Sequence, residues 1–392
     1  MNLELSDIQV SLREAARDAL SRTNTIEAAR ETLDGGTRPD LWPVAVEAGW
    51  PGLLVSEERG GVGLGAFDAM LVLQEAGRRL AGVPLIGHLP ASALLDAAGD
   101  EATERVAAGE ARAVFVAAQP PGDLDEGWTV EGEESMSRSP APTVGADGTV
   151  EGRVPWVVDA PGAEVFVVVG ADGSVAVVEE GASVEEVFRY DSTRALGHVT
   201  FSGARGRRLD VPADEVARAW FLAQTLIAAE SVGATEACLE MAIPYAKERF
   251  TFGRAIGSYQ AVKHQLVEIL RRKENATSLL YYAGWAHASG PEEFPIAASA
   301  ARSAAGEALD HAARANIGVH GGIGATWEHD APLFFRRAQL SRRLLGGTAG
   351  STDRVAGELL RTAARDGRPA TGAGNGSAAA QSTPAAATSV TP

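Results

Sequence analysis

The sequence of 392 residues has only one cysteine, Cys238, so an internal disulfide is excluded. Cys238 lies in an apolar helical run without a catalytic pattern around it, which predicts a small buried residue. Long hydrophobic runs are absent as well, and none approaches the roughly 20 residues of a membrane-spanning helix. The stretch MNLELSDIQVSL is acidic and amphipathic, unlike a secretory signal. These absences predict a cytoplasmic protein without a membrane partner.

Positive charge is scarce in this sequence. Lys and Arg number 35 against 52 Asp and Glu, which gives a net charge of −17. A surface of this sign repels phosphate backbones, so nucleic acids and anionic membranes are excluded as expected partners. Any anionic ligand needs a local basic patch, which draws attention to the arginines near residue 250. The histidines His264, His320 and His329 show no metal-site spacing, and no metal is predicted.

Periodicity divides the chain into helical, β and helical regions followed by a tail, which predicts an α+β multidomain fold. Residues 1–108 show helical spacing, with Ser6 as a candidate N-cap. Residues 109–211 contain short Val-rich runs bounded by Gly, Pro and Asp, typical of six to eight strands in a small sheet or flattened barrel. Residues 212–365 predict a bundle of four or five helices. Residues 366–392 are almost entirely Gly, Ala, Ser, Thr and Pro and are predicted to be disordered.

Two glycine-containing stretches interrupt the C-terminal helices. The first, YAKERFTFGRAIGSYQAVKH, runs from Tyr245 to His264 and leads into a predicted helix from Gln260 to Ser289. The second, VHGGIGATWEHD, runs from Val319 to Asp330. Helix ends offer backbone N–H groups and arginine offers a fork of donors, so the stretches predict a site for an anionic cofactor. The alternative is a tightly turning interhelix loop with solvent-facing arginines.

These stretches resemble segments of the acyl-CoA dehydrogenase family. ERFTFGRAIGSYQAVKH is similar to the family's Arg-x-x-Phe-Gly-x-x-Ile-x-x-x-Gln segment, and HGGIGATWEHD is similar to its glycine-rich companion. The spellings TWEHD, PWVVDAPGA and DSTRALGHVTFSGA resemble actinobacterial members that act on sterol side chains or on polyketide and related acyl thioesters. The resemblance covers most of residues 1–365.

The resemblance implies a fold, a cofactor and a reaction. The fold is an N-terminal helical domain, a central β domain and a C-terminal four-helix bundle, assembled as a tetramer. FAD would lie in a cleft between domains that the neighbouring subunit completes. The reaction is α,β-dehydrogenation of an acyl-CoA: a carboxylate removes the α-proton, the β-hydride passes to the flavin, and electrons leave through an electron-transfer flavoprotein.

Roles for the first stretch follow from the same resemblance. Arg249 would meet the FAD pyrophosphate, for which its fork of donors is suited. Thr251 and Phe252 would line the adenosine side, and Gln260 would hydrogen-bond nearby. A capped loop with these side chains in solvent remains the alternative.

The resemblance also implies cofactor contacts elsewhere in the chain. Gly321, Gly322 and Gly324 would let the backbone approach the dinucleotide, because glycine has no Cβ to block it. Trp156 matches the β-domain tryptophan that packs beside the flavin ring, with an ordinary sheet aromatic as the alternative. Thr348 matches a threonine that contacts the cofactor.

The sequence departs from the family at the catalytic base. The usual glutamate precedes a Gly-Thr pair, and here the loop LLGGTAGSTDR puts Gly346 at that position. A minority of the family carries the base on the preceding long helix, where Ala223 stands. The nearest acid on that helix, Glu230, is seven residues on, roughly 10 Å further along. A carboxylate satisfied inside the bundle is the preferred interpretation of Glu230, and a displaced base is the alternative.

Several other expected cofactor contacts are replaced. Glycines stand where glutamines are expected, at Gly318 and Gly350, and Val158 stands where a threonine or serine is expected. The polar run that opens the β domain is replaced by AAQPPGDLDEG, residues Ala117 to Gly127. A flavin pocket built from two copies of this chain would lack these donors and its base.

One arrangement accounts for both the matches and the departures. Some actinobacterial acyl-CoA dehydrogenases are α2β2 heterotetramers, in which one chain supplies the base and the other supplies the neighbour-side segment. We therefore predict a base-lacking partner subunit, with acyl-CoA, a second acyl-CoA dehydrogenase subunit and an electron-transfer flavoprotein as its partners. The alternatives are a homotetramer with Glu230 or another acid as base, and a flavin-free scaffold that stabilises or regulates a partner.

Overall fold

The computed structural model describes residues 4–118, 141–188 and 190–365. The predicted disordered tail, residues 366–392, lies outside the described residues, as does most of the segment from Ala117 to Gly127. The chain divides into two compact units, Met1–Val355 and Ala356–Pro392. Of the second unit only the end of one helix is described.

Helices make up the first region of the chain. The first helix begins with the predicted cap: the Gln9 N–H donates to Ser6 Oγ at 3.2 Å, and the Ser6 N–H donates to the Gln9 side chain at 3.1 Å. Most residues of the fourth and fifth helices are buried, and most of these buried residues are apolar. The helices are α1 Asp7–Ser21, α2 Thr25–Leu33, α3 Trp42–Glu47, α4 Ala66–Arg78, α5 Leu85–Ala98 and α6 Thr103–Ala107.

Within the described residues, seven short strands then form one mixed sheet, in agreement with the predicted six to eight. The strands are β1 Ala113–Val116, β2 Thr143–Val144, β3 Thr149–Val158, β4 Val165–Val169, β5 Val175–Val178, β6 Ala182–Glu186 and β7 Leu196–Leu209. Their order is β1-β4-β5-β7-β3-β2, with β6 also paired to β7. β1 and β4 are parallel, and the other pairs are antiparallel. Buried valines of β4 and β5, together with Ala113 and Phe115 of β1, join the core shared with the helices.

The remaining described chain is helical apart from one hairpin. Its elements are α7 Ala213–Glu248, β8 Phe250–Thr251, β9 Arg254–Ala255, α8 Gln260–Ser289, α9 Phe294–His320, α10 Ala331–Ser341 and α11 Gly347–Arg365. α7 packs closely on α4, and a Cβ added to Gly77 would lie 1.9 Å from the Glu230 carbonyl oxygen. The domain bounds 1–108, 109–211 and 212–365 remain our proposal. No described helix is both long and apolar enough to cross a membrane.

A buried ionic network joins the loop before β7 to α7 and α10. Arg194 pairs with Glu230, whose other oxygen lies 2.7 Å from Arg337 Nη1. Arg337 Nε donates to Asp191 at 2.7 Å, and all four side chains are buried. Burial alone would raise the pKa of Asp191, but Arg337 and the Thr193 hydroxyl lower it below its ordinary value. The network therefore depends on each charge keeping its partner.

Asp159 is a separate buried carboxylate, placed directly after β3. Its Oδ2 accepts the Gly87 N–H at 3.0 Å, and its backbone has φ +64°. Burial raises the pKa of Asp159 from 3.8 to about 6, although Arg194 opposes the rise. The folded state therefore holds this proton more tightly than the unfolded state. As pH rises from about 4 to about 6, ionisation of Asp159 lowers the free energy of unfolding, and this loss of stability persists at higher pH.

Replacing Asp159 by asparagine is expected to stabilise the protein at pH 8 by up to about 3 kcal/mol. The amide stays neutral, its oxygen can accept the Gly87 N–H, and asparagine tolerates a positive φ. Urea unfolding at pH 4 and pH 8 checks this, since the gain should fall towards zero at pH 4. The exposed Asp34→Asn variant is the control and should change stability little at either pH. A gain independent of pH would contradict the raised pKa.

Candidate functional site

The two stretches singled out in the sequence meet where α7 and α9 end. Tyr245 Oη donates to the His320 carbonyl at 3.3 Å, and the two rings lie 4.3 Å apart. Ala242, Ala246 and Val319 form a small buried cluster at the same junction. Residues 75 positions apart in the chain therefore contribute to one surface. We call the segment 249–260 together with the loop 318–330 the junction surface.

The hairpin of β8 and β9 presents exposed aromatic side chains on the junction surface. Its two turn residues, Phe252 and Gly253, both have positive φ, +49° and +78°, as a tight two-residue hairpin requires. Phe252 is 95% exposed and Phe250 is 64% exposed. A phenylalanine held in the left-handed region with its ring in solvent stabilises nothing inside this chain. Such a feature is typical of a binding surface.

Arg249 lies at the base of this hairpin, and two hydrogen bonds fix its backbone. Its N–H donates to the Tyr245 carbonyl and its carbonyl accepts the Ile256 N–H, both at 2.8 Å. Among the described residues, its exposed guanidinium has no ion-pair or hydrogen-bond partner. Thr251 is exposed as well, and so is Gln260, the first residue of α8. The structure thus brings four predicted contact residues of the first stretch to one exposed segment.

The glycine-rich loop supplies the other side of the junction surface. Gly321 ends α9 with φ +64° and ψ −138°, a conformation that favours glycine. A Cβ added to Gly321 or Gly322 would meet no atom within 4 Å. Gly324 differs, because an added Cβ would lie 2.6 Å from the His320 Cβ. Close packing within the chain therefore requires glycine at position 324, whereas the face above Gly321 and Gly322 is open.

Trp156 and Thr348 lie on elements other than the junction surface. Trp156 occupies an irregularity in the pairing of β3 with β7, where its φ is +60°. Its backbone N–H donates to His198 Nδ1 at 3.3 Å. The centroids of the Trp156 and His198 rings are 4.5 Å apart, and the rings meet edge to face. Thr348 is the second residue of α11, and its Oγ1 would lie only 2.4 Å from a Cβ added to Gly306 of α9. The Thr348 hydroxyl is buried and faces α9.

The two positions to which the resemblance assigns the catalytic base have no carboxylate. Gly346 lies in the loop between α10 and α11. Leu345, Gly346 and Gly347, the first residue of α11, have φ between +50° and +80°. This left-handed run suits glycine and strains any larger residue. Ala223 is buried inside α7. Neither residue has a side chain that accepts a proton.

Glu230, the third residue considered as a base, is bound on both sides. It is 2% exposed, and each carboxylate oxygen faces a guanidinium, one from Arg194 and one from Arg337. A base must lie within hydrogen-bond reach of the substrate proton. The contacts of Glu230 are those of a buried ion pair.

Comparisons with known sequences establish the family to which this chain belongs. The family description "Acyl-CoA dehydrogenase, N-terminal domain" matches residues 6–108, and "Acyl-CoA dehydrogenase, C-terminal domain" matches residues 222–360. Acyl-CoA dehydrogenase IpdE2 of Mycobacterium tuberculosis is 32% identical over 340 residues, which are 85% of this chain and 92% of that protein. The chain belongs to the acyl-CoA dehydrogenase family. FAD is the cofactor of this flavoprotein family, as the resemblance implied.

Solved structures confirm the acyl-CoA dehydrogenase fold. The Tcur3481-Tcur3483 steroid ACAD, solved as a G363A variant, is 25% identical with a TM-score of 0.78, and the match covers 91% of this chain and 99% of that one. The ChsE4-ChsE5 complex from Mycobacterium tuberculosis has a TM-score of 0.77 at 24% identity, over 92% of this chain and 99% of that one. The second likeness concerns the fold alone.

Proposed function

We propose that this chain is the base-lacking subunit of a heterotetrameric acyl-CoA dehydrogenase and completes the FAD site of a catalytic partner chain. The observation behind the proposal is the coexistence of an open junction surface with glycine at position 346. An acyl-CoA dehydrogenase cannot remove the α-proton without a base in reach. A partner chain that supplies the carboxylate would provide the base that this chain lacks at position 346.

The described residues fit the phosphate and adenosine end of FAD. The Arg249 guanidinium, which has no partner among the described residues, is a fork donor for a diphosphate. The open face above Gly321 and Gly322 admits a ligand close to the backbone. Gln260 begins α8, and the N-terminus of a helix favours an anion. When bound, FAD would supply the hydride acceptor for α,β-dehydrogenation, while this chain's residues hold its non-reacting end.

The partner and the substrate follow from the same proposal. Phe250, Phe252 and Trp327 are 64%, 95% and 77% exposed, and a partner chain covering the junction surface would bury them. One of the similar solved structures, 25% identical to this chain, is named as a pair of chains and as a steroid ACAD. We therefore propose a steroid-type acyl-CoA as the substrate class, an electron-transfer flavoprotein as the electron acceptor, and the cytoplasm as the location.

Purification of the chain alone and together with the acyl-CoA dehydrogenase chain encoded beside it tests the proposal. The chain alone is expected to carry little flavin and to reduce no dye with an acyl-CoA. The co-purified complex is expected to show flavin absorbance and dye reduction. Flavin and activity in the chain alone would favour the homotetramer and overturn the proposal. A stable complex without flavin would overturn it in favour of the scaffold.

A further inference from the structure

A second arginine, Arg254, lies on the same face of the hairpin as Arg249. The register of the hairpin pairs Thr251 with Arg254 and Phe250 with Ala255. Directly opposite residues of an antiparallel pair project to one face, so the side chains of Arg254 and Thr251 share a face. Arg249 has an extended backbone and precedes Thr251 by two residues, and side chains two apart along a strand also share a face. One face of the hairpin therefore carries two arginines.

The ring of Tyr259 holds the side chain of Arg254. Arg254 Cζ lies over this ring, 4.0 Å from its centroid. The ring is itself fixed, because Tyr259 Oη donates to the Thr251 carbonyl at 3.2 Å and the Tyr259 N–H donates to the Ile256 carbonyl at 3.1 Å. A cation–π contact restrains the guanidinium without using its N–H groups, which can still donate to a ligand. Because Arg254 is ordered before a ligand arrives, less side-chain entropy is lost on binding.

The two arginines form a positive patch on an acidic protein of net charge −17. Within the described part of the chain, no carboxylate lies within ion-pair distance of Arg249 or Arg254. Arg78 and Arg207, by contrast, each pair with three carboxylates. Diagonal positions of a hairpin lie roughly 7–8 Å apart, a gap that two arginine side chains can close on one ligand. A diphosphate matches this pair, because each guanidinium can donate to one phosphate group.

We propose that Arg254, held by Tyr259, is a second phosphate-binding residue and forms with Arg249 a clamp for a diphosphate. The inference rests on the proposed function, in which the phosphate end of FAD lies at Arg249, the other half of the clamp. CoA, the carrier of the acyl substrate, also contains a diphosphate and is the second source of the same chemistry. FAD is the expected occupant, and separate titrations with FAD and CoA distinguish the two.

Substitution of Arg254 in the complex with the acyl-CoA dehydrogenase chain encoded beside this one tests the clamp. Arg254→Ala is expected to weaken FAD binding about tenfold, as loss of a charge-assisted hydrogen bond does, and to leave CoA binding unchanged. Flavin fluorescence measures the first dissociation constant and isothermal titration calorimetry the second. Arg254 is exposed, so the urea midpoint of the chain should not move. The control is Arg22→Ala, which removes an exposed arginine at the end of α1.

Two variants of Tyr259 separate the role of its ring from that of its hydroxyl. Tyr259→Leu keeps the Arg254 charge but removes the ring that orders it, so we expect FAD to bind about threefold more weakly. Tyr259→Phe keeps the ring and loses only the hydrogen bond to the Thr251 carbonyl, and it should bind FAD like the wild type. Equal FAD affinity in the Tyr259→Leu variant and the wild type would overturn the part of the proposal in which Tyr259 holds Arg254.

The outcomes for Arg254→Ala separate the clamp from the proposed function. Weaker binding of FAD alone supports the clamp with the cofactor as its occupant, and weaker binding of CoA alone supports it with the substrate as its occupant. Unchanged affinity for both ligands overturns the clamp, while FAD in the wild-type complex leaves the proposed function standing. Equal losses in the Arg254→Ala and Arg22→Ala variants also overturn the clamp, because the effect then belongs to net charge. A wild-type complex that binds neither ligand overturns both.

Discussion

Replacing Arg337 by methionine is expected to lower the free energy of unfolding by about 3–5 kcal/mol, the cost of breaking a buried ion pair. Arg337 is 0% exposed and joins two carboxylates, Asp191 and Glu230, each at 2.7 Å. Without it, Asp191 is left buried with only hydroxyl and backbone donors. Methionine fills much of the same space, so the loss is electrostatic and not that of a cavity. Urea unfolding at pH 7 measures it.

A surface arginine supplies the matched control for Arg337→Met. Arg314 pairs with Asp310 one helical turn away at 3.1 Å and is 55% exposed. Arg314→Met is expected to change stability by no more than about 0.5 kcal/mol, as exposed pairs do. If Arg337→Met cost no more than this control, the buried network would not hold the loop before β7 to the helices.

The deficit of Arg337→Met also depends on pH. In the wild type the pKa of Asp191 lies below its ordinary value of 3.8. Its contribution to stability is therefore present above about pH 4 and is lost as pH falls through the folded-state pKa. The variant lacks the charge that lowers this pKa, so the difference between the two proteins should narrow in acid. A constant difference from pH 7 to pH 3 would contradict this account.

Local signals in the sequence were enough for much of the fold. The capping pair of Ser6 and Gln9 is a contact between near neighbours, and the structure contains it. The predicted helix from Gln260 to Ser289 has those bounds in the structure. The two unusual stretches were found because glycines and arginines break an apolar helical pattern, and they lie together as a shared site requires.

The contacts of the candidate residues depended on long-range packing that no local pattern contains. Glu230 has the same sequence context whether it is a base or an ion-pair partner, and its partners Arg194 and Arg337 come from distant parts of the chain. His198 was missed because it meets Trp156 through an irregularity in strand pairing.

Arg249→Ala is expected to weaken FAD binding by the purified complex about tenfold to a hundredfold, the range for a lost charge-assisted hydrogen bond. The Arg249 backbone is held by two hydrogen bonds of 2.8 Å that alanine retains. Its side chain is exposed and has no partner among the described residues, so the unfolding free energy of the chain should not change. Titration of the apo complex with FAD, followed by flavin fluorescence, measures the dissociation constant.

Two further variants define what Arg249 contributes to FAD binding. Arg249→Lys keeps the charge but lacks the planar fork, so we expect affinity between those of the wild type and the alanine variant. Arg22→Ala removes another exposed arginine, at the end of α1, and should leave FAD affinity unchanged. Unchanged affinity in Arg249→Ala would refute the phosphate role. Equal losses in the Arg249→Ala and Arg22→Ala variants would assign the effect to net charge, because only a specific contact distinguishes the two positions.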